Sequence, residues 1–120
     1  MTVQVINLEL EQSESPSFQF LWQDKSTTLP IDLTGYSAKL QIRNNYGDPT
    51  VQLELSTANG GITLGGPAGT ITVNFTSAQT TVLPVNLGFY DLLLTNIATG
   101  AVTEFARGFV YVDPTITSLP

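Results

Sequence analysis

Apolar and polar positions along the chain alternate in short runs with a period of two, and turn residues separate the runs. The clearest instance is Pro30–Arg43. Asp32-Leu33-Thr34-Gly35 offers a short polar side chain to bond the local backbone and a glycine for positive φ. After it Ala38, Leu40 and Ile42 fall on one face while Lys39, Gln41 and Arg43 fall on the other, the signature of a strand with one wet side. Val3–Leu10 reads as a first strand, with Ile6, Leu8 and Leu10 on one face and Asn7 and Glu9 on the other. Ser17–Gln23 reads as a second, with Phe18, Phe20 and Trp22 as a heavy aromatic face for the core.

The alternation resumes past the turn Asn44–Pro49 at Val51, Leu53 and Leu55, then in Ile62–Leu64 and Thr70–Phe75, which glycines punctuate. Thr76–Thr81 fits one helical turn capped by Thr76 or Ser77, a usual crossing between two sheets. Gly88–Thr95 and Val102–Val112 form a hairpin across Asn96–Gly100. Turn signals every eight to twelve residues, without helical stretches of ten, predict a single all-β domain. We expect an immunoglobulin-like antiparallel β-sandwich over residues 1–114, with 115–120 as a C-terminal tail.

Pairing the last hairpin so that Asp91 opposes Arg107 sets Phe89 opposite Phe109 and Leu93 opposite Phe105. Phe89, Leu93, Phe105, Phe109 and Tyr111 then share one face, and Tyr90, Leu92, Leu94, Val110 and Val112 share the other. Pattern alone leaves open which of the two faces the core. If the first lies outside, it is an apolar row of the kind that marks a subunit contact, so these five residues are the candidate protein interface.

Composition narrows the chemistry. The 120 residues are 42% hydrophobic but only 12% charged, with ten acidic against four basic residues and a net charge of −6. Lys25, Lys39, Arg43 and Arg107 do not cluster in sequence, so nucleic acid and anionic membrane are not expected partners. There is neither His nor Cys, which removes disulfides, the usual zinc sites and His-assisted Ser or Cys catalysis. Asp24, Asp32, Asp48, Glu54, Asp91 and Glu104 have no spacing that marks an acid and a base, and read as solvated or turn carboxylates.

Gly60-Gly61 and Gly65-Gly66 lack the Lys-Ser or Lys-Thr of a phosphate loop. Asn44–Asp48 lacks the spaced carboxylates of a calcium loop. Asn74-Phe75-Thr76 matches a glycosylation acceptor only formally, since Met1–Val5 opens no secretory signal and no run approaches a membrane span. We therefore expect no cofactor, no metal and no enzyme.

The pieces Phe18–Trp22, Pro30–Tyr36, Leu40–Arg43, Asn59–Leu64, Gly88–Leu92 and Val110–Val112, in that order, resemble small tailed-phage and prophage virion proteins. They are similar to the amino-terminal domain of siphophage baseplate upper proteins. The resemblance implies a non-catalytic sandwich that is made in the host cytoplasm, ends in the virion, and binds other virion proteins of the tail or baseplate, with a homo-oligomer as one arrangement. Within it, Tyr90 resembles the tyrosine corner of sandwich folds, and the aromatic hairpin is a departure from polar residues. Two other functions stay open: a capsid decoration protein, and a carbohydrate-binding module stacking sugars on Trp22, Tyr46 or Tyr111. The place of Trp22 in the Phe18-Phe20-Trp22 alternation favours core over sugar contact.

Overall fold

Period-two alternation with few helix formers produces two facing sheets, and a computed structural model describes them over residues 4–45, 47–83 and 87–114. The strands, in chain order, are β1 (Gln4–Val5), β2 (Leu8–Glu11), β3 (Ser17–Leu21), β4 (Tyr36–Arg43), β5 (Leu53–Ser56), β6 (Ile62–Leu64), β7 (Thr70–Asn74), β8 (Leu87–Asn96) and β9 (Val102–Asp113). One sheet runs β1-β9-β8-β4-β5, with β2 also on β9, and the other runs β3-β7-β6. The expected tail at 115–120 lies outside the described residues.

The inner faces meet in one core. Leu40, Leu55, Ile71, Val73, Leu92, Leu94 and Val110 are wholly buried, with Tyr90, Phe105 and Trp22 among the large side chains packed with them. Ala38, Leu40 and Ile42 of β4 point inward while Lys39 is exposed. Asp32 Oδ1 accepts the Thr34 amide at 2.9 Å and Gly35 sits at φ 81°, as the turn reading requires. The crossing from β7 to β8 begins with helix α1 (Ser77–Val82). Thr76 caps it, its hydroxyl accepting the Gln79 amide while the Gln79 side chain accepts the Thr76 amide.

Two features depart from the sequence reading. The first strand is not continuous and not antiparallel: β1 and β2 both run parallel to β9, with Val5 opposite Arg107 and Leu8 opposite Val110. Between them the chain keeps its register but kinks at Ile6-Asn7. The Ile6 amide still donates to Arg107 O at 2.8 Å, but its carbonyl turns to accept the Tyr90 hydroxyl at 2.6 Å. Asn7 Oδ1 then accepts the Phe109 amide at 3.0 Å, standing in for a backbone acceptor. Room for the carbonyl exists because residue 108, which faces Tyr90 across the ladder, is glycine.

The second departure is a bulge. Asp91 opposes Arg107 and Leu92 opposes Ala106, but Leu93 opposes Glu104, which leaves Phe105 as an extra residue on β9. The extra residue lets both Phe105 and Ala106 face the core.

Candidate functional site

The outer face of the larger sheet is built from β4, β8 and β9. Three rows cross it: Arg43–Phe89–Phe109, Gln41–Asp91–Arg107 and Lys39–Leu93–Glu104. In the first row the Phe89 and Phe109 rings lie 5.3 Å apart at 58°, a tilted aromatic pair. Phe109 is 45% exposed and Tyr111, two residues on and opposite Glu9, is 48% exposed. Phe89 and Leu93 are half-buried.

Four of the five expected residues thus share the outer face, with the Phe89–Phe109 opposition as read from the sequence. Phe105 does not join them. It is 2% exposed and its ring lies 6.1 Å from both Phe20 and Trp22, because the bulge rotates it into the core and sets Glu104 against Leu93 instead. A local sign of this stands in the sequence: Phe105-Ala106 puts two apolar residues in succession where the alternation allows one.

Polar groups frame the aromatic pair. Arg43 donates from Nη2 to Gln41 Oε1 at 2.9 Å and from Nη1 to the Asp48 carbonyl, and Gln41 Nε2 donates to Glu54 Oε1 at 2.7 Å. Arg107 pairs with Glu104 at 2.7 Å, while its buried Nε has no partner among the described residues. Asp91 lies between Phe89 and Leu93 on β8. Burial, then the neighbouring Glu104 carboxylate, raise its pKa above the usual carboxylate range, against the opposing pull of Arg43 and Arg107. Gln41, Arg43, Phe89, Asp91 and Leu93 line a shallow depression of about 300 Å³ here. With Asn45 also on its wall, it joins one carboxylate, one guanidinium and two side-chain amides to an apolar wall, the chemistry of a contact surface.

Several aspartates hold turns. Asp24 Oδ1 accepts the amides of Ser26 and Thr27, and these bonds hold its pKa below the usual range. Asp48 Oδ1 accepts the Thr50 amide at 2.9 Å. Trp22 is buried at 8% exposure, edge-on to Tyr36 and Phe105, so its ring offers no platform for a sugar. Tyr46, the second such residue, lies outside the described residues, while Tyr111 is open on the aromatic face. Tyr90 ties the β1–β2 kink to β8, and burial pushes its hydroxyl up to about 12. Asn7, whose side chain completes the edge of β9, was not singled out by pattern, because an Asn between apolar residues reads simply as an outward position.

Fold and site define a small all-β sandwich whose polar outer sheet face bears one aromatic patch. No protein-family model matches the sequence, and no curated protein does. Among solved structures the chain is similar to the N-terminal domain of phage TP901-1 ORF48. The likeness covers 94% of this chain and 99% of that one, with a TM-score of 0.52 and 14% identity. At that identity it is a likeness of fold.

Proposed function

We propose that the chain is a structural protein of a phage particle, in the tail or baseplate region, that holds other virion proteins through the outer face of β8 and β9 and catalyses nothing. The observation that carries this is the aromatic patch of Phe89, Phe109 and Tyr111, set in a polar sheet face where isolated domains of this size keep aromatics inside. Similarity over nearly the whole chain to a domain of a phage protein supports the same reading, as does the resemblance of its sequence pieces to the amino-terminal domain of siphophage baseplate upper proteins.

The strand order supports an immunoglobulin-like description. Strands β3, β7 and β6 take the places of B, E and D, strands β4, β8 and β9 those of C, F and G, and β5 adjoins β4 as C′.

Phe109→Asp tests the reading. Its side chain is half open to solvent, so the variant folds, with a melting temperature close to that of the parent. In a phage propagated with only this variant, the subunit is expected to be missing from purified particles. Normal incorporation refutes the interface, and a labelled subunit imaged on the head would make it a decoration protein instead.

A further inference from the structure

Among the described residues four strand edges end the two sheets, and three of them are closed by local features. On the β1–β2 edge the strand breaks at Ile6-Asn7 and presents Glu9 and Glu11. On β5 the outward Ser56 amide donates to Asn59 Oδ1 at 2.9 Å, and the outward Glu54 carbonyl accepts Asn59 Nδ2 at 3.0 Å. Strand β6 has only three residues. Short, charged or kinked edges are the usual devices against further pairing.

Strand β3 has none of these. The flanking bonds Phe75 N to Pro16 O and Trp22 N to Gly69 O fix the phase of the β3–β7 ladder, so Phe18 and Phe20 bond β7. Consequently the amides and carbonyls of Ser17, Gln19 and Leu21 point away from β7, and no described residue bonds them. Ser17–Leu21 holds no charge, no proline and no bulge. Phe18 and Phe20, packed against the core on its inner face, remain half-buried.

We propose that this edge pairs with the same edge of a second copy of the chain, antiparallel, about a two-fold axis through Gln19. The sequence Ser17-Phe18-Gln19-Phe20-Leu21 is nearly symmetric about that residue. An antiparallel copy therefore sets Gln19 against Gln19, Ser17 against Leu21 and Leu21 against Ser17, each pair exchanging two backbone bonds. On the inner face Phe18 of each copy meets Phe20 of the other, completing the cover that both lack. The two three-stranded sheets become one continuous sheet. This contact is independent of the aromatic patch, which lies on the other sheet.

Sedimentation velocity over a range of concentrations tests the pairing, together with hydrogen exchange of individual amides. A monomer–dimer equilibrium is expected, with Ser17, Gln19 and Leu21 amides gaining protection as concentration rises. Gln19→Pro removes an amide that the monomer does not use and should weaken dimerisation by at least roughly tenfold at an unchanged melting temperature. Gln19→Glu, which places two carboxylates face to face, should abolish the dimer at pH 7 and recover it below about pH 4. Phe109→Asp should leave it intact. A chain that is monomeric throughout, a dimer that persists in both Gln19 variants, or protection of these amides only by a different protein overturns the proposal.

Discussion

Gly108→Ala should unsettle the whole first strand. A methyl group on residue 108 would stand 2.3 Å from the Ile6 carbonyl oxygen, 2.8 Å from its carbon and 2.9 Å from Asn7 Oδ1. Two of these are backbone atoms that cannot swing aside, so Ile6-Asn7 must move outward by roughly 1 Å or more to reach ordinary contact. That movement breaks the Tyr90 hydroxyl bond to Ile6 O and stretches the Phe109 amide bond to Asn7. An unsatisfied buried hydroxyl costs about 1–3 kcal/mol and the second bond about 0.5–1.5 kcal/mol, giving roughly 2–4 kcal/mol of destabilisation.

For a domain of this size such a loss lowers the melting temperature by on the order of 10 °C. Urea unfolding of Gly108→Ala, Tyr90→Phe and the double variant separates the causes. Tyr90→Phe alone should lose about 1–2 kcal/mol, and in the Gly108→Ala background almost nothing, a coupling of about 1–2 kcal/mol. A Gly108→Ala protein within about 0.5 kcal/mol of the parent, or strict additivity, would refute the idea that the glycine exists to admit the Ile6 carbonyl.

Three further outcomes are expected. The Tyr90 hydroxyl titrates near 10 when unfolded and about 12 when folded, so the folded state holds the proton more tightly. Its contribution is whole below pH 10 and is lost as pH rises to 12, with a slope of at most about 1.4 kcal/mol per unit, less after solvent screening; urea midpoints against pH should show this decline, and Tyr90→Phe should lack it. Phe105→Ala should destabilise by about 3–5 kcal/mol and Phe109→Ala by less than about 1 kcal/mol, and equal losses in chemical denaturation would contradict the bulge. Asn59→Ala frees the Ser56 and Gly61 amides and the Glu54 carbonyl and should lose about 1–2 kcal/mol, whereas Asn59→Asp, which keeps the acceptor, should lose about half of that by thermal unfolding.

What could be read from the sequence follows from the range of the physics involved. Period two and turn chemistry act within a few residues, so Asp32–Gly35, the faces of β4, the Thr76 cap and the Asn96–Gly100 reversal are legible from neighbours alone. The Phe89–Phe109 opposition was also within reach, because setting Asp91 against Arg107 places it, although the bulge nearer the turn shifts this part of the hairpin one residue from the register of Thr95 and Val102. The Phe105 bulge was not. One added residue reverses every side chain beyond it, and only packing against Phe20 and Trp22, more than eighty positions away, decides where it falls. The parallel seating of β1 and β2 on β9 likewise joins residues about a hundred apart, and the signal for it is a glycine at 108 whose reason lies at Ile6.

Because β1 and β2 run parallel to β9, the chain enters this seam at one end, at Gln4, and leaves it at the other, at Asp113. Tension applied between those two points draws the strands past one another along their length. The bonds across the seam, evenly spaced along the strands, are then loaded together instead of being peeled one after another. Such a domain resists pulling through its ends by the strength of the whole seam at once, and the rate at which that seam ruptures sets how long it carries the load.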